Sequence, residues 1–432
     1  MHCADGAGLS KGEYAVTFPT SVIRKLAPSE EMFAQSQTYM GGTVHLNGPV
    51  DVDAMFVAFD TLLQAHPVFA GRFERGPDGL HHIVVDDFFP PGIRVVEKGD
   101  QPSIQMRLDQ AVSLAYLRVK PGDGRTEVTL YTHHSLTDGQ HHMGLVWELF
   151  SWYTDMVCTG DVEPVDPQAA PDSLEVILEE RGVRKQSRSG FERLLPALYA
   201  YELPPSTRDT AGGNPAFPTL IPSARCQLTE QETQDLITFT RDRKLSLNAV
   251  IGAAMLLAEW QVRGTPHIPV PYLYIADLRL HLTPPVDPTA ATNPLGVATY
   301  LAEIKPNTDI GDLATDIVEA FRADLSDGVI QQSLLHYNLH YAGSPPGLPE
   351  PVMASHMGEM PSLRTPPNVS LDGVKTNLLA ANAAGVDFYF SATVDGRLQI
   401  ERHSHMPGPE RAVTAIHSLL SSLPSENDWA AE

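Results

Sequence analysis

Four histidines, an aspartate and a glycine crowd into one short stretch of this 432-residue chain: His133, His134, Asp138, Gly139, His141 and His142. An imidazole titrates near neutrality, so it can take a proton from a hydroxyl or amine as that group attacks and return it to a leaving group. His134 is the candidate base. Asp138, four residues on across a tight turn, reads as an ion-paired brace of the loop rather than a contact of the ring. Clustered histidines also raise metal ligation. However, His133 and His134 point to opposite faces of a strand and no Cys or Glu lies at ligand spacing, so no metal is expected. His133, His141 and His142 are read as structural or loop residues. Ser135 follows His134 but has no second base, and the chain has no Gly-x-Ser-x-Gly elbow, so no nucleophilic serine is expected.

These side chains must be held by the elements on either side. Val128, Leu130 and Thr132 alternate with Thr129, Tyr131 and His133, a period-two pattern rich in β-branched and aromatic residues that predicts a strand ending at His134. Gly139 breaks the pattern. Met143, Val146, Trp147, Phe150 and Tyr153 then recur at three- and four-residue steps, predicting an amphipathic helix over 139–157. His134 therefore stands on a strand-to-helix turn, rigidly held yet free to face a cavity. The positive end of that helix, at Gly139, favours a neutral imidazole and can assist an oxyanion.

The stretch HHSLTDG fits the HHxxxDG signature, and further blocks agree with it in order: 21–35, 109–117, 243–261, 270–296 and 322–333. Together they resemble the polyketide-associated acyltransferases, in the superfamily of chloramphenicol acetyltransferase and the condensation domains of non-ribosomal peptide synthetases. The resemblance implies a mixed α/β (α+β, two-layer) fold. Two acetyltransferase-like subdomains would form a V, with the active site and a channel at their interface. It implies His134 as general base, Asp138 as loop anchor and Arg279, in Asp277-Leu278-Arg279, as the ion-pair partner of Asp138. A buried carboxylate needs such a partner, because desolvation alone costs several kcal/mol.

The implied reaction needs no cofactor. A long methyl-branched acyl group, activated as a thioester on the carrier domain of a polyketide synthase, passes directly to a hydroxyl of a long diol such as phthiocerol, with acyl-coenzyme A as a surrogate donor. Arg322 and Lys244, the latter where an arginine is expected, are implied in docking the carrier. Two alternatives stay open: condensation-type transfer to another alcohol or an amine, and a non-catalytic module that only binds carrier proteins.

Composition bounds the rest. The formal net charge of −23 argues against nucleic-acid or anionic-membrane binding. Three widely spaced cysteines, Cys3, Cys158 and Cys226, build neither a disulfide framework nor a zinc knuckle and suit a reducing, cytoplasmic setting. No apolar run approaches the length of a membrane span. Residues 1–17 read as a flexible tail, 18–204 as the first subdomain, 205–222 as a Gly- and Pro-rich linker and 223–432 as the second subdomain, which has no HHxxxDG of its own.

Along the chain, helices are expected at Ser29, over 51–65, over the block 173–203, after Thr229 with its capping partner Glu232, from Ser246 to Gly264, over 309–325 and over 409–421. Strands are expected at 43–47, 68–73, 81–85, 93–97, 114–119, 224–228 and 268–276, and in a hairpin at Asp395-Gly396. Residues 353–367, rich in Pro and Met, read as a connection.

Overall fold

The computed structural model describes residues 21–85, 92–96, 107–205, 216–337, 346–381 and 387–423. The expected tail, Cys3 and most of the expected linker lie outside the described residues. The first part of the chain runs β1 (Ser21–Lys25), α1 (Pro28–Gln35), β2 (Tyr39–Asn47), α2 (Val52–Ala65), β3 (Arg72–Arg75), β4 (His81–Val85), β5 (Gly92–Val95), β6 (Ala115–Pro121), β7 (Arg125–His133), α3 (Gly139–Thr159) and α4 (Leu174–Glu180). Next come β8 (Thr219–Leu220), β9 (Ser223–Gln227), α5 (Glu230–Asp242), α6 (Leu247–Arg263), β10 (Val270–Asp277), β11 (Leu295–Ala302), α7 (Ile310–Ser326) and α8 (Val329–Gln332). The last elements are β12 (Val352–Glu359), β13 (Ser370–Ala380), β14 (Asp387–Val394), β15 (Arg397–His403) and α9 (Pro409–Ser422).

Two six-stranded sheets carry the molecule, ordered β5-β6-β7-β2-β13-β8 and β11-β10-β12-β14-β15-β9, with a three-stranded β1-β4-β3 sheet beside them. Helices α2 and α3 pack on the first sheet, burying Met55, Phe59, Leu62, Leu145, Leu149 and Phe150 against Val44, Val128 and Leu130. Helix α6 is buried from Ala249 to Glu259 against β10 and β12, flanked by α7 and α9. This is the expected mixed α/β architecture.

The sheets do not divide at one point of the chain. Strand β13, far along the sequence, pairs antiparallel with β2 from Ser370↔Asn47 to Leu379↔Tyr39. Residues 370–380 thus belong by sequence to the expected second subdomain and by hydrogen bonding to the first sheet.

Local rules place most elements. Asp51 accepts from Ala54 N at 3.0 Å, and Thr229 and Glu232 form the expected capping box. Asp395 and Gly396 both take positive φ, as a type I′ hairpin turn requires.

Four expectations are corrected. The segment from Pro67 is a short 3₁₀ turn before β3, because proline suits a first helical position and cannot donate to a ladder. Helix α1 starts after Ala27 rather than at Ser29, with Glu30 accepting from Ala27 N at 2.8 Å. The 173–203 block is α-helical only over α4, since Gly182 and Gly190 turn the backbone to positive φ and the 3₁₀ segment Phe191–Ala197 contains Pro196. The first seven residues of the expected connection at 353–367 belong to strand β12, held between β10 and β14. Its Met, His and Gly content hid a central strand from any β-propensity pattern.

Candidate active site

Strand β7 ends at His133, and the two adjacent histidines part there. His133 turns inward, edge-on to Tyr39 and Phe73 at 4.7 Å each, with Nε2 bonded to Gln110 Oε1 at 2.9 Å. His134 turns the other way and lines a cavity. Its ring stacks on Phe33 at 4.0 Å and 9°.

The ring is fixed from several sides. His134 Nδ1 lies 2.9 Å from the Thr137 carbonyl, which can only accept, so Nδ1 carries the proton and Nε2 the lone pair. The backbone around it is tied down as well. His134 N donates to Thr38 O, and Asn293 Nδ2 donates to the carbonyls of His134 and Ser135 at 2.8 and 3.3 Å. Burial lowers the His134 pKa below the ordinary imidazole value, opposed by the Asp138 carboxylate and the hydrogen bonds. Ser135 points away: its Oγ donates to Glu30 O, fully buried.

Asp138 closes the turn. Its Oδ1 accepts from His141 N at 2.9 Å, capping α3, and both its oxygens meet Arg279 in the turn after β10. Arg279 Nη1 donates to Oδ2 at 2.6 Å and Nη2 to Oδ1 at 2.9 Å. Its remaining N–H groups go to Asp277 Oδ1 and to the Pro288 carbonyl, which accepts from both Nε and Nη2. All five guanidinium donors are therefore used. Gly139 follows, where a Cβ would stand 2.8 Å from Met357 Sδ, so glycine lets α3 approach β12.

The cavity occupies about 1260 Å³ between the two sheets. Phe33, Met40, Gly42, His134, His142 and Met143 line it from one side, and Leu273, Ile275, Ala298, Phe321, Phe388 and Phe390 from the other. A volume above that of usual small-molecule sites, walled mainly by apolar side chains, suits a long aliphatic ligand.

Arg322 on α7 is exposed and lines the cavity. Lys244 is exposed at a left-handed backbone position, two residues before Ser246, which also lines it. Sequence reading missed four participants: Phe33, Asn293, the Thr137 carbonyl and His142, whose ring faces the cavity rather than serving only as packing. Asn293 lies in a block already matched by resemblance, but nothing local marked its amide as a clamp on another loop.

A family model described as phthiocerol/phthiodiolone dimycocerosyl transferase C-terminus matches residues 218–403. A phthiocerol/phthiodiolone dimycocerosyl transferase of Mycobacterium tuberculosis H37Rv is 48% identical over 421 residues, which is 96% of this chain and 100% of that protein. The chain belongs to the phthiocerol/phthiodiolone dimycocerosyl transferase family. A Mycobacterium leprae protein of the same name is 47% identical over 96% of this chain and 100% of its own length.

Among solved structures, polyketide synthase associated protein 5 of Mycobacterium tuberculosis matches with a TM-score of 0.86 at 47% identity, over 95% of this chain and 100% of that one. The first condensation domain of the calcium-dependent antibiotic synthetase matches with a TM-score of 0.64 at 13% identity, covering 94% and 97%, a likeness of fold alone. As a member of the dimycocerosyl transferase family, the chain is an acyltransferase with a condensation-type fold. Among the described residues, no single helix is long and apolar enough to cross a membrane.

Proposed function

We propose that this enzyme moves a long methyl-branched acyl group from a thioester on a polyketide synthase carrier domain to a hydroxyl of a long diol of the phthiocerol or phthiodiolone type. The names of its relatives support the substrates. The observation that carries the chemistry is His134, its Nδ1 anchored on a carbonyl, in the wall of a large, mainly apolar cavity.

In this reading His134 Nε2 takes the hydroxyl proton as the oxygen bonds to the thioester carbon. The tetrahedral oxyanion then collapses, the C–S bond breaks, and the leaving thiolate takes the proton from His134. The start of α3 at Gly139 lines the same cavity and offers the positive end of the helix to the oxyanion. Asp138 and Arg279 are positioning residues that fix the turn. Arg322 and Lys244 form the docking face for the acidic carrier domain, and acyl-coenzyme A serves as a surrogate donor. The cysteine usage supports a cytoplasmic setting.

The test is mass spectrometry of products from a panel of acyl thioesters offered with long diols and matched amines. Esters formed by the wild type, and lost in His134→Ala, are expected. Amide product without ester would replace this reading with a condensation reaction.

A further inference from the structure

A second histidine faces the same cavity with a bond unmade. His142 is 4% exposed and lines the cavity beside Gly42. Its Nδ1 lies 2.7 Å from Thr132 Oγ1, while its Nε2 is buried without a hydrogen-bond partner among the described residues. A buried polar atom left unpaired is costly, and in a substrate cavity a ligand can supply what the protein does not. Gly42 lies against that nitrogen, and a Cβ there would come 3.0 Å from it.

The two rings are linked through one turn residue. Thr132 Oγ1 also meets Thr137 Oγ1 at 2.8 Å, and the Thr137 carbonyl holds His134 Nδ1. Burial, then the nearby His134 and His141, push the His142 pKa down to about 3. The ring is therefore neutral at physiological pH, unsuited to an anion and too weak a base for the reaction. What remains is a neutral hydrogen-bonding atom. If Thr132 donates to Nδ1, Nε2 presents an N–H; if Thr132 accepts, Nε2 presents a lone pair. A hydroxyl satisfies either tautomer, because it both donates and accepts.

We infer that His142 Nε2 binds the non-reacting hydroxyl of a diol acceptor while His134 deprotonates the hydroxyl that is acylated. This rests on the acyl-transfer reading above and makes His142 a specificity residue for diols over mono-alcohols.

The test is transfer from one acyl-coenzyme A to a long 1,3-diol and to the matched mono-alcohol, scored as the ratio of the two kcat/KM values. The wild type favours the diol. Both His142→Leu and Gly42→Ala lower the ratio about tenfold, the loss of one hydrogen bond to a desolvated group. Gly42→Ala acts by covering Nε2 with a methyl group, and it decides alone should His142→Leu fail to fold. His142→Gln, which keeps a donor and an acceptor, retains part of the ratio. A wild type indifferent to the second hydroxyl, or a ratio unmoved in the variants, overturns the inference. Transfer to no alcohol at all by the wild type overturns the acyl-transfer reading itself.

Discussion

The Asp138 carboxylate and the Arg279 guanidinium face each other through two parallel bonds of 2.6 and 2.9 Å across 141 residues of sequence. Both side chains are almost wholly buried. One end of the pair caps the helix that follows the HHxxxDG turn, and the other is moored in the loop after β10, so the pair joins the two sheets beside the cavity.

Removing one partner strands the other charge away from water. Arg279→Ala is expected to cost about 3–5 kcal/mol of stability in a denaturant titration. Arg279→Lys recovers only part of this, because an ammonium cannot make the paired bonds or reach Pro288 as well. A variant lacking the guanidinium but as stable as the wild type would show that the pair does not fix the turn.

His134→Ala is expected to lower kcat/KM about 10²- to 10⁴-fold while circular dichroism stays native, the usual range for loss of a general base. The pH profile gives an independent check. A base works only when deprotonated, so rate is lost as pH falls through its pKa. Since burial places that pKa below the ordinary 6.5, the acidic limb of kcat/KM should lie below pH 6.5 and the rate should be flat above it. An acidic limb above that value points to a different titrating group.

Much of this site could be read locally. The period-two run into His134, the glycine break and the helical run after it define a strand, a turn and a helix from neighbouring residues, and β7 and α3 are there. Arg279 was reached through resemblance, and its need was legible in Asp138 as a carboxylate expected to be buried. By contrast, Asn293 and Phe33 act on the turn from elements distant in sequence, so no spacing rule exposes them. His142 read as a structural or loop residue because a sequence pattern reports which face of a helix is buried, not whether that face borders a cavity. The pairing of β13 with β2 likewise depends on a chain crossing that leaves no local trace.

The glycine after Asp138 has a steric reason that can be tested. Gly139→Ala puts a methyl group 2.8 Å from Met357 Sδ, at the contact between α3 and β12. Overpacking of this kind costs about 1 kcal/mol, the low end of its range, because the Met357 side chain can swing aside. Because the obstruction is the end of a flexible side chain, Met357→Ala in the same chain should restore most of the lost melting temperature and activity. If the double variant is no better than Gly139→Ala alone, the glycine is needed for something other than this approach.

His141 supplies a stability test that does not involve turnover. It is 1% exposed, and burial, followed by the Arg279 charge, lowers its pKa to about 4. The unfolded chain binds a proton at this residue below about pH 6.5, whereas the folded chain does not until about pH 4. Between those values the unfolded state carries the extra proton, so stability falls as pH falls, by about 1.4 kcal/mol per pH unit for this one group. The contribution is fully present above pH 6.5. His141→Leu removes the titration, so the difference between wild type and variant in unfolding free energy should change by about that amount per unit between about pH 6 and pH 5. Parallel stability curves for the two proteins over that window would mean that the folded imidazole takes up its proton as readily as the unfolded one.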